Sequence, residues 1–156
     1  MTKPTMNAPL KPALAAAHLL NLQGERPTLM GSRCTACGEH YFPAARGCTR
    51  CGSTDLAPAD LGSEGRLWSW TVQSFCPKPP YNGVDDELAF QPYGVGYIEM
   101  ASGLKVESRL TLSDPDQLRI GMPMALTLEP YRQVPPDRAV FTFAFRPATP
   151  AQGGQP

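Results

Sequence analysis

Four cysteines in two C-x-x-C-G units, Cys34 with Cys37 and Cys48 with Cys51, constrain this chain more than any other feature of it. Two residues between each pair let the backbone turn as a knuckle that aims both sulfurs at one point, and Gly38 and Gly52 supply the permissive turn that follows. The intervening segment can run out as a strand through Tyr41 and Phe42 and return, so the four thiolates can close a tetrahedron with no position left for a substrate. A site of that kind is structural. Two disulfides would need an oxidising compartment that the N-terminus does not promise. A redox C-x-x-C belongs near a βαβ pattern, which is absent. Zinc is the reading taken, with iron chemically open at a four-thiolate site. Metal binding can contribute on the order of 10 kcal/mol to folding, which a segment with so little apolar surface needs.

Lys plus Arg is 14 and Asp plus Glu is 14 in 156 residues, so the net charge is zero. Zinc ribbons and small β-barrels often bind nucleic acid, and this balance argues against that electrostatic footprint. Arg33, Arg46 and Arg50 cluster around the cysteines, where they can offset the two negative charges that four thiolates leave on a zinc ion. No apolar run approaches the roughly 20 residues of a spanning helix, and MTKPTMNAPLKP lacks the apolar core of a signal peptide. A cytoplasmic protein is expected. Eighteen prolines and fourteen glycines favour turns and short strands over long helices.

Residues 1–26 read as a mobile arm followed by one short helix over Ala13–Leu22, opened by Pro12 and stopped by Gly24. Such a helix is too short to stand alone and should dock on a neighbour. His18 within it, and His40 beside the metal loop, read as surface or packing residues. Residues 27–60 form the ribbon, with a strand from Pro27 to Arg33, another from Glu39 to Phe42, and a turn-rich exit, STDLAPADLGSEG, that leads into a second domain over 61–147. Residues 148–156 read as a frayed tail.

Period-two alternation governs the second domain. In LWSWTVQ, Trp68, Trp70 and Val72 share a face and are expected in the core. In PYGVGYIEM, Tyr93, Val95 and Tyr97 oppose Gly94 and Gly96, whose missing side chains allow sharp coiling or a close backbone approach. The turn Ala101-Ser102-Gly103 joins it to LKVESRLTL as a hairpin, with Leu104, Val106, Leu110 and Leu112 inward. Asp114-Pro115 starts one helical turn. Strands with Met124, Leu126 and Leu128, then with Phe141, Phe143 and Phe145, complete a set of five. Five strands with a short helical turn between the third and fourth match the OB-fold, a Greek-key barrel; an immunoglobulin-like sandwich would want about seven. The fold class is therefore mainly β, a rubredoxin-like ribbon followed by an OB barrel. The long 76–92 segment between the first two barrel strands is proline-rich yet carries Tyr81, Leu88 and Phe90, which need a surface to cover. Cys76 reads as a small apolar filler.

No nucleophile, acid and base converge in the pattern, and Glu99, Glu107 and Asp116 lie where solvated faces and caps put them. The residues describe a binding or assembly module.

Three stretches together resemble the thiolase-associated zinc-ribbon and OB-fold family, whose members are described as acyl-CoA-associated. They are Arg33-Cys34 through Tyr41-Phe42-Pro43 to Cys51-Gly52-Ser53, the strand Gly65-Arg66-Leu67-Trp68-Ser69-Trp70-Thr71-Val72, and the turn Asp114-Pro115-Asp116-Gln117-Leu118-Arg119-Ile120-Gly121-Met122. The resemblance covers roughly residues 15–146. It implies a non-catalytic accessory subunit of a thiolase-fold enzyme, encoded nearby, that cleaves or condenses 3-oxoacyl-CoA thioesters; the small subunit of a benzoylsuccinyl-CoA-type thiolase is one such member. It further implies structural Zn2+, a CoA thioester shared with the partner, and a hetero-oligomer such as a heterotetramer, with no nucleic-acid or membrane partner. Arg46, Arg50, Lys78, Tyr81, Phe90 and Tyr93 are then the candidates for acyl-CoA or partner contact. A free-standing acyl-CoA binder, or a single-stranded nucleic-acid binder that stacks bases on tryptophan, are the alternatives.

Overall fold

A computed structural model describes residues 13–81, 87–134 and 138–148. The arm over 1–12 and the tail from 149 onward lie outside them, as do 82–86 of the long loop. Ten strands are defined: β1 (Ala13–Leu14), β2 (Leu20–Asn21), β3 (Thr28–Cys34), β4 (His40–Tyr41), β5 (Leu56–Gly62), β6 (Glu64–Gln73), β7 (Tyr93–Met100), β8 (Lys105–Leu110), β9 (Pro123–Val134) and β10 (Arg138–Pro147). Three single 3₁₀ turns, Ala17–Leu19, Glu87–Ala89 and Pro115–Gln117, supply all the helical structure of the described residues.

The N-terminal helix expected over Ala13–Leu22 is not formed. Ala13 and Leu14 pair in parallel with Val140 and Phe141 of β10, the Ala15 N–H donates to the Phe141 carbonyl at 2.9 Å, and Leu20 is buried after pairing with Leu29. A ten-residue helix is marginal in water even from good helix formers, so ladder bonds and burial decide the outcome.

The segment expected as a turn-rich exit from the ribbon contains β5, which runs antiparallel to β3 from Cys34↔Leu56 to Leu29↔Gly62. Pro58 and Gly62 mask the strand in the sequence. Pro58 is tolerated because β3 is the strand's only partner among the described residues, so the missing N–H falls on an edge strand. β2 and β4 flank the other side of β3.

β6, β7, β8, β10 and β9 close on one another in that order to give the expected five-stranded barrel, since β9 pairs with both β6 and β10. All strands are antiparallel neighbours except β8 and β10, which run parallel and meet only at Leu110↔Phe145. The ring is thus tight on four sides and splayed at the fifth, the partly open geometry of this barrel class. Gly94 and Gly96 are buried on the inner face of β7. A Cβ on Gly94 would collide with the Leu112 carbonyl oxygen and press on Leu110, the close approach anticipated for the glycine-bearing strand.

Trp68 departs from the expected core face. The β6–β7 register slips between Leu67↔Ile98 and Ser69↔Tyr97, so Trp68 is the extra residue of a β-bulge and points outward, 51% exposed. The bulge lets Leu67, fully buried, and Trp70, packed on the core, both face inward. Ribbon and barrel share one apolar cluster: Leu20, Leu29 and Leu61 join Leu67, Ile98 and Phe145, and Phe42 meets the edge of Phe143 at 5.9 Å.

Candidate metal centre and aromatic groove

The two knuckles repeat one backbone pattern. Gly38 N–H donates to Cys34 O, and Gly52 N–H to Cys48 O, both at 2.9 Å. Cys34 N–H reaches Glu39 O, and Cys48 N–H reaches Ser53 O, both at 2.8 Å. Gly38 and Gly52 close these turns at φ of 81° and 76°, where a side chain would be strained. As a result the sulfurs of Cys34, Cys37, Cys48 and Cys51 all lie within 4.8 Å of one another. Cys34 to Cys51 is 3.6 Å and Cys37 to Cys48 is 3.5 Å. A tetrahedron with Zn–S bonds of about 2.3 Å has edges of about 3.8 Å, so the four thiols are spaced for the ion.

Their electrostatics also call for a cation. Cys37 receives the Glu39 N–H, which favours its thiolate, yet burial and the thiols of Cys48, Cys51 and Cys34 push it up to about 12. Cys48 is brought down to about 6, first by the Tyr41 hydroxyl 3.1 Å away and then by the Cys51 and Arg50 N–H groups, against burial. Four thiolates in this space repel one another unless a divalent ion neutralises them. The donor set fits a structural zinc, with every ligand position taken by the chain itself.

The barrel's outer face carries a second cluster. The aromatic residues of the long loop converge on β7: Tyr81 meets Phe90 at 6.3 Å and Phe90 meets Tyr93 at 6.0 Å, both edge to face. The Arg109 guanidinium of β8 lies over the Tyr93 ring at 4.2 Å, and its Nε faces Glu129 Oε1 of β9 at 2.9 Å. A groove of about 400 Å³ opens beside this stack, between Tyr81, Tyr93, Val95, Tyr131 and Phe143.

Residues 23–57 match the family model described as the ChsH2 rubredoxin-like zinc ribbon domain, and residues 59–129 match the ChsH2 C-terminal OB-fold domain. The chain belongs to the ChsH2-type zinc-ribbon and OB-fold family. Among its relatives, a DUF35 domain-containing scaffold protein of Methanothermobacter thermautotrophicus is 29% identical, over 80% of this chain and 90% of that protein. The benzoylsuccinyl-CoA thiolase subunit BbsA of Thauera aromatica is 25% identical, over 92% of this chain and 96% of that one. Among solved structures, a chain of the Ltp2-ChsH2(DUF35) aldolase superposes with a TM-score of 0.57 at 28% identity, over 78% of this chain and 86% of that chain.

Within this ChsH2-type chain the six residues singled out for ligand or partner contact divide into two groups. Tyr81, Phe90 and Tyr93 are brought together. Arg46 and Arg50 stay on the ribbon, both exposed, and Arg50 pairs with Glu39 at 3.1 Å. Lys78 is exposed, and its carbonyl accepts the Tyr81 N–H at 3.2 Å. Sequence reading missed Arg109, Glu129 and Tyr131, because alternation marks Arg109 and Glu129 only as outward polar residues of separate strands, β8 and β9, and Tyr131 follows Pro130 within β9. His18 is exposed, and the described metal-ligand cluster contains the four cysteines without His40 or Cys76. No helix of the described residues is long and apolar enough to cross a membrane.

Proposed function

We infer that this chain is an accessory subunit of a thiolase-fold enzyme that acts on 3-oxoacyl-CoA thioesters, by thiolysis or Claisen condensation. The partner supplies the reacting side chains. The observation that carries this reading is the likeness to the benzoylsuccinyl-CoA thiolase subunit BbsA over 92% of this chain, joined by that to a chain of the Ltp2-ChsH2(DUF35) aldolase over 78%, so that ribbon and barrel are matched together. A zinc-clamped ribbon sharing its core with a barrel makes a rigid body, which suits a scaffold that shapes a neighbour's active site. The CoA thioester is held jointly with the partner in a hetero-oligomer such as a heterotetramer. Tyr81, Phe90 and Tyr93 serve as contact residues on the barrel, Lys78 as a cation of the long loop, and Arg46 and Arg50 as cations on the ribbon. The ribbon proper is taken as 27–60 and the barrel as 61–147.

Co-expression with the thiolase-fold protein encoded nearby tests it. The expected result is a stable complex with thiolase activity and an isolated chain with none; a chain that fails to co-purify with the partner, or that turns over a thioester alone, overturns it.

One observation favours a second reading. Trp68 and Tyr97 meet edge to face at 6.3 Å on the outside of β6 and β7, where barrels of this class stack bases. The patch carries little free positive charge, since Lys105 over Trp68 also pairs with Glu99 and the Tyr97 hydroxyl faces Glu107. A salt-dependent quench of tryptophan fluorescence by oligothymidine would support nucleic-acid binding; an unchanged spectrum removes it.

A further inference from the structure

The groove beside Arg109 exists because the barrel is incompletely closed. β8 and β10 pair at Leu110↔Phe145, and one residue earlier on β8 and two on β10, Arg109 and Phe143 line an open seam. Residues of β7, β8, β9 and β10 form its walls, Phe143 among them packed from the core side, and Tyr81 of the long loop lines it.

We propose that this groove binds the acyl end of the thioester, as an uncharged aryl or aliphatic group, and that Tyr81, Tyr93, Val95 and Phe143 set which acyl groups fit. The proposal rests on the thioester reading above and adds to it the part of the ligand this chain holds.

Volume comes first. About 400 Å³ is near the small end of ligand pockets, which run from about 300 to 1,000 Å³. It admits a ring or a short chain, while a whole CoA thioester cannot fit. Charge comes second. The one guanidinium on the wall stacks on Tyr93 and faces Glu129, and Glu107 on the rim lies 3.4 Å from the Tyr97 hydroxyl. Glu129 offsets the one cation, and Glu107 adds a second carboxylate. A phosphate or carboxylate would meet no surplus positive charge, so the nucleotide end of a CoA ester has no electrostatic reason to enter. The lining rewards apolar contact: rings of Tyr81, Tyr93 and Phe143, the Val95 methyls, and the hydroxyl of Thr142 at the edge.

The test uses the full zinc-loaded chain and two uncharged probes, the N-acetylcysteamine thioesters of benzoate and hexanoate, with free CoA as the control. Methyl NMR should show saturable shifts at Val95 with either thioester and none with CoA, and Val95→Trp should weaken binding at least tenfold. Tyr81→Ala, which removes the loop's ring from the lining and leaves the barrel strands untouched, should weaken it several-fold while zinc content stays at one per chain. Shifts centred elsewhere, equal binding by Val95→Trp and parent, or competition by CoA lacking an acyl group would each overturn the assignment. The outcome is separable from that of the accessory-subunit reading. A Val95→Trp chain that still co-purifies with its partner and has lost the probe supports the groove, whereas loss of co-purification by the parent chain strikes only at the partner.

Discussion

The Tyr41 hydroxyl stands 3.1 Å from the Cys48 sulfur and accepts the Thr49 N–H at 3.0 Å, so the phenol is fixed to donate its own proton to a metal ligand. β4 places Tyr41 there, one residue after His40 pairs with Arg33 beside the first knuckle. The strand that joins the knuckles therefore also supplies the outer hydrogen bond that orients one of the four sulfurs.

Tyr41→Phe should keep the fold and lose grip on the ion. Outer partners of ligands typically contribute 10- to 100-fold in metal affinity, so competition with a chromogenic zinc chelator should show a loss of about that size. The same variant should raise the pH at which zinc is released. Without the phenol, which is the largest influence holding Cys48 down to about 6, protons compete for that sulfur at higher pH. An unchanged release curve would mean that the hydroxyl contributes nothing to ligation.

Cys34→Ser and Cys48→Ser should give insoluble protein or protein unable to join its partner. Both sulfurs are buried, and the ribbon around them is built of short strands that depend on ligation for much of their stability. Zinc content by plasma emission and yield of soluble chain are the readouts. A soluble, zinc-free Cys34→Ser chain that still assembles would show that the site is dispensable.

How much of this was legible beforehand depended on whether a residue's role is set locally. The knuckles were readable because two residues and a glycine determine the turn whatever surrounds them. The barrel strands were readable from alternation, as in Val106, Ser108 and Leu110, all buried. Ala13–Leu22 was misread because its helix propensity is local while its ladder partner, β10, lies more than a hundred residues away. Leu56–Gly62 was obscured by Pro58, whose edge position only the sheet reveals. Trp68 illustrates the limit of a strict period of two: one bulge inverts the face of every residue that precedes it relative to those that follow. The Arg109–Glu129 contact joins two strands with a third between them, so no sequence interval announces it.

The bulge yields a sharp contrast between adjacent residues. Leu67→Ala removes a fully buried side chain and should cost about 2–5 kcal/mol, read as a lower denaturant midpoint. Trp68→Ala, half exposed and in contact with Tyr97 and Lys105, should cost about 1 kcal/mol or less. If alternation without a bulge were correct, the order would be reversed.

Gly94→Ala should be among the most damaging small changes in the barrel. The added methyl would strike the Leu112 carbonyl oxygen, a backbone atom that cannot swing aside, as well as Leu110. Overpacking of this kind costs about 1–3 kcal/mol. Gly103→Ala, at φ 82° in the β7–β8 turn with open space around it, should be milder and strained only in its backbone. Thermal melts of the two variants decide the order.

Arg109→Ala should destabilise the chain in a pH-dependent way. Glu129 exposes only 19% of its side chain, and burial holds its carboxyl above the usual carboxylate range even though Arg109 pulls it down. Arg109 Nε and Glu129 Oε1 are both shut off from solvent and meet without hydrogen-bond geometry, so the charge of Arg109 is what offsets the desolvated carboxylate. A carboxyl raised in the folded state favours folding most fully below its unfolded value and loses that contribution as pH rises through the folded one. Removing Arg109 raises the folded value further and widens that loss. The variant should therefore lie close to the parent near pH 4, where Glu129 is protonated in both, and fall behind it as pH rises to 7, by on the order of 1 kcal/mol. Adding Glu129→Gln to Arg109→Ala removes the titrating group and should flatten the difference. Urea midpoints of the three chains at pH 4, 5, 6 and 7 measure this, and a pH-independent loss for Arg109→Ala would mean that the guanidinium acts through its stacking on Tyr93 and not through Glu129.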